Sequence, residues 1–257
     1  YISESPERTT EFEEWKKQGH EIAAHHHSIY HGNWDGYTDY AKEEAENQRI
    51  KQGKTPEEYL GTLDDFIKKL KKINPNIHSG CMNAEDKKEM PDEIYYDTCS
   101  GFANHGEPGK REGDNTTPEK GKNEYITVGV YKNITRKWLA HYQTTLDRRQ
   151  QKAQEVFNSM NSGVYGSVNH SAIHEESAFY SWLEFLHSKD PTGEKSRTVS
   201  EIIDQKLIPE KLIPEELVNK RFLPLPQNKC GDNICDEIER ANPNLCPRDC
   251  EKKPEET

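Results

Sequence analysis

Long hydrophobic runs are missing from this chain. No stretch of about 18 apolar residues occurs, so nothing in the sequence reads as a transmembrane helix. Apolar residues are scarce altogether, 31% against 32% charged. That balance predicts a polar surface and long loops around a modest core. Positive charge is also short: 35 Lys and Arg face 46 Asp and Glu, a net charge of −11. Such a surface lacks the clustered cations that phosphate binding needs, which excludes an ordinary nucleic-acid partner. It also disfavours docking to an anionic membrane. No basic stretch followed by an apolar run opens the chain at Tyr1. The expectation is that a leader and more precede it, or that the sequence starts inside a domain. Upstream of Gly19 there is no aspartate.

What is present suits one sizeable α/β domain with an appendage, since the chain has 257 residues. Twelve Tyr and four Trp argue against simple disorder. Four of the six cysteines, Cys230, Cys235, Cys246 and Cys250, crowd the C-terminal end. That density is typical of disulfide-stapled extracellular modules. Sequons at Asn115, Asn133 and Asn169 are compatible with export.

Strand and helix patterns alternate along the chain. Glu11 to Gln18 predicts a helix end with Trp15 buried, stopped by Gly19. Glu21 to Ala24 predicts a short strand running into histidines, and Tyr37 to Gln52 a polar helix. Thr55 predicts the cap of the next helix, with Leu60, Leu63, Ile67 and Leu70 on its apolar face. Strands are expected at Ile77 to Met82, Ile94 to Cys99, Tyr125 to Tyr131 and Val164 to His170. Phe102 to Asn123 reads as a long exposed loop. Helices are expected at Thr144 to Met160, at Glu175 to Ser188 with Phe179, Trp182, Leu183 and Leu186 inward, and at Thr198 to Lys206. The alternation implies a parallel sheet or an α/β barrel. Leu207 to Gln227 reads as an extended, proline-studded linker.

The densest chemistry lies in Gly19-His20-Glu21-Ile22-Ala23-Ala24-His25-His26-His27-Ser28-Ile29-Tyr30-His31, which holds five of the eleven histidines. His27 and His31, four apart, could reach one metal from a tight turn. Neutral imidazole suits zinc and other borderline metals. The stretch resembles the second motif of the NodB-type polysaccharide deacetylases, in which a Gly-His-Glu-Ile strand leads into His-Ser/Thr-x-x-His. His27-Ser28-Ile29-Tyr30-His31 fits that pattern, although most members place the first ligand where His25 stands, so His25 competes with His27. Gly163 to Ser171, ending in Asn169-His170-Ser171, and the later Thr198-Val199-Ser200-Glu201-Ile202-Ile203 look like the family's closing motif, over roughly residues 1–210.

The resemblance implies an incomplete or distorted (β/α) barrel at residues 1–206, lacking its first strand. A linker at 207–227, a small disulfide-rich module at 228–251 and a disordered tail at 252–257 would follow. It implies a divalent metal, foremost Zn2+, on His27 and His31 with His25 as the competitor. His170 would be the general acid, with His174 as fallback. Trp34, Asp35 and His174 would lie on the substrate side, and Asp35 is also a substitute ligand. In the family the metal is a Lewis acid, an aspartate is the base and a histidine protonates the leaving amine. The family's paired aspartates are missing before Gly19, and its Arg-Pro motif has no match near Ile77 to Met82. Asp64-Asp65 is the only adjacent aspartate pair and reads as a solvated helix face.

Cys81 and Cys99, on neighbouring predicted strands, are expected to be bridged in an oxidising compartment. The tail cysteines are expected to form two disulfides; zinc has no standard spacing there, and Asp232, Asp236, Glu237 and Asp249 would suit Ca2+ better. The expected function is removal of N-acetyl or other acyl groups from an extracellular polysaccharide by a secreted or cell-surface hydrolase. The alternatives are an inactive glycan-binding homologue and a secreted protein with a structural zinc.

Overall fold

The computed structural model of the chain describes residues 6–29, 31, 33–51, 58–84, 87–99, 118–145, 147–170, 176–215 and 218. The tail cysteines and His174 lie outside them, as do Thr55 and most of the segment from Phe102 to Asn123.

Six strands form one sheet: β1 (Ala24–His27), β2 (Ser79–Asn83), β3 (Tyr96–Asp97), β5 (Ile126–Tyr131), β6 (Ile134–Trp138) and β10 (Glu210–Leu212). Their order is β1-β2-β3-β6-β5-β10. The first four in that order run parallel, with Ala24, Gly80, Asp97 and Trp138 in one row. β5 turns back against β6 because Lys132 and Asn133 both take positive φ, at 53° and 62°. Consecutive positive φ values suit a tight hairpin, which reverses direction. Among the described residues no pairing joins β1 to β10, so the sheet is open and mixed. The smaller strands β4 (Lys122–Asn123) with β8 (Val164–Tyr165), and β7 (Tyr142–Gln143) with β9 (Ser167–Val168), make two side ribbons. The single strand expected over Val164 to His170 is thus split at Gly166, where a Cβ would strike the Ala140 carbonyl.

Among the described residues, six α-helices accompany these strands: α1 (Pro6–Lys17), α2 (Lys42–Lys51), α3 (Leu63–Lys71), α4 (Asp147–Ser159), α5 (Glu176–Lys189) and α6 (Val199–Asp204). α3 begins one turn later than Leu60 because Thr62 caps it in a reciprocal box with Asp65. Leu60 is therefore left exposed. Leu63, Phe66, Ile67 and Leu70 then meet Met82, Tyr131 and Trp138 on one face of the sheet. α6, capped by Thr198 and Glu201, brings Ile202 and Ile203 to Ile126, Val128 and Leu139 on the other. Helices on both faces are the usual cover for parallel strands. Asp64 and Asp65 are exposed, as expected of a solvated face.

Three expectations are corrected. Trp15 is 39% exposed and meets Phe12 edge-to-face at 5.4 Å. On α5 Trp182 is buried and Leu186 packs against its cluster, as expected, but Phe179 and Leu183 face outward and Ala178 is buried instead. The Trp182 indole donates to Ser167 Oγ at 2.9 Å, which fixes the rotation of that helix. The proline-studded segment is not all linker: Glu210–Leu212 pairs in parallel with β5, and Ile208 is buried. Pro209 and Pro214 sit just outside the strand, so no pairing N–H is lost.

Candidate metal centre

β1 carries the histidines rather than ending before them. Side chains alternate along a strand, so Ala24 and His26 point into the core while His25 and His27 share the other face. The turn geometry expected for His27 with His31 gives way to a strand geometry that joins His27 with His25. Their Nε2 atoms stand 3.0 Å apart.

The protons of these rings can be counted. His27 Nδ1 donates to the Asn33 carbonyl at 2.8 Å, so its Nε2 carries a lone pair when neutral. The His25 Nε2 is turned to His27 Nε2. Burial first, and the neighbouring His27 second, push the His25 pKa down to about 4, against the opposing pull of the Cys81 carbonyl. Neutral His25 has one ring proton: on Nε2 it makes this contact a hydrogen bond to His27, and on Nδ1 it leaves two facing lone pairs that a cation can take. Zinc bound to two imidazoles at 2.0–2.1 Å holds its nitrogens roughly 3.3 Å apart in a tetrahedron. Histidine ligands are also held by a backbone carbonyl on the other nitrogen, as His27 is by Asn33. The pair therefore fits half of a metal site. Among the described residues, no group of three or more His, Cys, Asp or Glu donors is arranged to hold an ion.

His31 is placed differently. Its Nδ1 accepts from the Asn33 N–H at 3.1 Å, and its ring stacks on His27 at 4.1 Å. Neutral His31 then has its proton on Nε2, leaving no lone pair for a metal. Burial, His27 and Arg49 lower its pKa, in that order. Arg49, unremarked in the sequence, is wholly buried and donates to the carbonyls of Ile29 (3.2 Å) and His31 (2.8 Å) while pairing with Glu58. It fixes the turn that carries His31.

His26 fills the opposite face as a buried cation. Its Nδ1 lies 2.8 Å from Asp35 Oδ2 and its Nε2 3.1 Å from Glu89 Oε2. Burial alone would lower its pKa, but the two carboxylates outweigh burial and raise it to about 9. Asp35 also accepts the backbone N–H groups of His27 (3.1 Å) and Tyr37 (3.2 Å). Its oxygens hold the loop together, which argues against its expected role at substrate or metal. Trp34 is likewise structural: it is buried with Ile29, Tyr40 and Ala45, and its indole donates to the Tyr37 carbonyl.

The sheet brings further groups to the same end. In the row Ala24, Gly80, Asp97, Trp138, His25 and Cys81 come one residue later, Cys99 two and His141 three. His25 and Cys81 lie within β1 and β2, and Cys99 and His141 lie two and three residues beyond β3 and β6. Cys81 and Cys99 form a disulfide, as expected. His141 Nε2 lies 3.9 Å from Cys99 Sγ. Burial pushes the His141 pKa down to about 4, helped by the charges of His25 and His170 and opposed by a bond to the Thr98 backbone. His170 itself is exposed just beyond β9. His141 is thus electrostatically coupled to both His25 and His170, the expected general acid. Standing alone between Ala140 and Tyr142, it gave no motif to read.

No known family model matches the chain, and neither a curated protein nor a solved structure shows significant similarity to it.

Proposed function

We propose that the protein is a metal-dependent hydrolase that removes N-acetyl groups from an extracellular polysaccharide. The observation that carries this reading is the facing Nε2 pair of His25 and His27 at the carboxyl end of an edge strand. The coupling of His141 to His170 supports a place for the acid near that pair. A divalent metal, foremost zinc, held by His25 and His27 with donors beyond the described residues, would supply Lewis-acid polarisation of the amide carbonyl. The chain's own residues do the rest. Asn33 orients the His27 imidazole by taking its ring proton. His170, exposed at the rim, delivers a proton to the departing amine nitrogen. His141 stays neutral and so adds no repelling cation between them.

An extracytoplasmic location accords with the Cys81–Cys99 bridge. No described helix is long and apolar enough to cross a membrane.

A second reading, a glycan binder without catalysis, is favoured by one feature: the described residues offer two facing nitrogens and no third donor. Acetate release from N-acetylated chitin oligomers and peptidoglycan, with and without added zinc, separates the two. Zinc-dependent release supports the hydrolase. Retention of the glycan without release supports the binder.

A further inference from the structure

The sequons at Asn115, Asn133 and Asn169 take no part in the proposed hydrolase, and the fold treats them unequally. Asn115 lies outside the described residues. Asn169 is half-buried next to His170, and its Oδ1 is enclosed by protein without a hydrogen-bond partner. Asn133 is exposed, and so is Thr135, which completes Asn133-Ile134-Thr135.

The backbone explains that exposure. Tyr131 pairs with Ile134, so Lys132 and Asn133 form the whole loop between β5 and β6. Their two positive φ values make the tight reversing turn of a two-residue hairpin. Asparagine tolerates that region better than most side chains. Lys132 is tied back to the body: its Nζ donates to the Met90 carbonyl at 3.1 Å and pairs with Asp92 at 2.8 Å. Asn133 is left at the tip, with its amide engaged by no hydrogen bond among the described residues.

The tip also points away from the candidate site. β6 runs parallel to β1 through the shared row, and Asn133 lies five residues before Trp138 in that row while His25 lies one after Ala24. At about 3.3 Å per residue, roughly 20 Å separates the two along the strands. A saccharide on Asn133 leaves the histidine pair uncovered.

We propose that Asn133 is an N-glycosylation site, its donor an oligosaccharide carried on a lipid phosphate or pyrophosphate. In the transfer, Asn133 Nδ2 bonds to the anomeric carbon of the first sugar. The bond from that carbon to the phosphate oxygen breaks, the lipid phosphate leaves, and the amide gives up one proton. The Thr135 hydroxyl is the part of the acceptor signal that the transferring enzyme reads. The assignment rests on the extracytoplasmic location proposed above.

Mass spectrometry of the full chain, purified from the cells that produce it, tests this. Chymotrypsin cuts after Tyr131 and Trp138 and so isolates residues 132–138. Most copies of that peptide are expected to be heavier by a whole number of sugar residues, with the added mass on Asn133. Asn133→Gly should abolish the addition and keep the turn, since glycine takes positive φ freely. Thr135→Val should abolish it with Asn133 in place, while Thr135→Ser should retain it. An unmodified peptide from protein whose Cys81–Cys99 bridge is intact would overturn the proposal and leave the extracytoplasmic reading standing. An unmodified peptide together with free Cys81 and Cys99 thiols would overturn both. An addition to this peptide that survives Asn133→Gly would put the modification on another residue and equally overturn it.

Discussion

His25 and His27 face each other through Nε2 atoms 3.0 Å apart, with the ring proton of His27 given to the Asn33 carbonyl. A cation held between them replaces the single proton that the two nitrogens can share. His25→Ala and His27→Ala are each expected to weaken zinc binding by at least about tenfold. His31→Ala should retain it, because His31 Nδ1 is occupied by the Asn33 N–H. Metal content after dialysis against a competing chelator checks all three. Equal loss in His31→Ala would mean that the stacked ring turns to become a ligand.

The opposite face of β1 predicts an alkaline limit to stability. The folded pKa of His26, about 9, lies above the ordinary 6.5. Its contribution is therefore fully present below pH 6.5 and is lost as pH rises through 9. Unfolding midpoints in urea should fall over that window in the wild type. His26→Gln should be destabilised by about 3–5 kcal/mol at neutral pH, because Asp35 and Glu89 would lose the buried cation between them. It should also lose the alkaline dependence. A wild-type midpoint constant from pH 6.5 to pH 9.5 would show that His26 is neutral in the fold.

Local patterns were legible where one element decided them. The strand at Ile126–Tyr131 and the helix at Val199–Asp204 follow from their own residues, and Thr198 with Glu201 forms a cap within four positions. The Cys81–Cys99 bridge was legible because both cysteines fell on expected neighbouring strands. The candidate site was legible only as a cluster of histidines. Which of them face each other depended on where β1 ends, and a buried charge pair with Glu89, 63 residues away, pulls His26 inward. His141 was invisible because only the sheet register brings it to the others. The strand at Glu210–Leu212 was hidden by its flanking prolines.

The Cys81–Cys99 bridge joins strand ends beneath the histidines across 18 residues. Closing a loop of that size contributes about 3 kcal/mol through the unfolded chain. Cys81→Ser with Cys99→Ser should lose about that much in urea unfolding without reductant. Adding reductant should bring the wild type down to the same midpoint. A double variant as stable as the wild type would mean that the parallel pairing of β2 with β3 suffices by itself.

The reading of His170 as the acid makes the last prediction, and its sign differs from that for the ligands. His170 stands exposed beyond β9, coupled to His141, which is in turn coupled to His25. Removing a ligand abolishes metal and activity together. Removing an acid leaves metal in place and slows only the step in which the amine departs. His170→Ala is therefore expected to keep zinc while the rate of acetate release falls by about 10²–10⁴. The loss should shrink for substrates with a good leaving group, such as an aryl acetate, whose departure needs no proton. If His170→Ala releases acetate from the N-acetylated glycan at the wild-type rate, the proton comes from elsewhere. His174, four residues on and outside the described residues, is then the next group to replace.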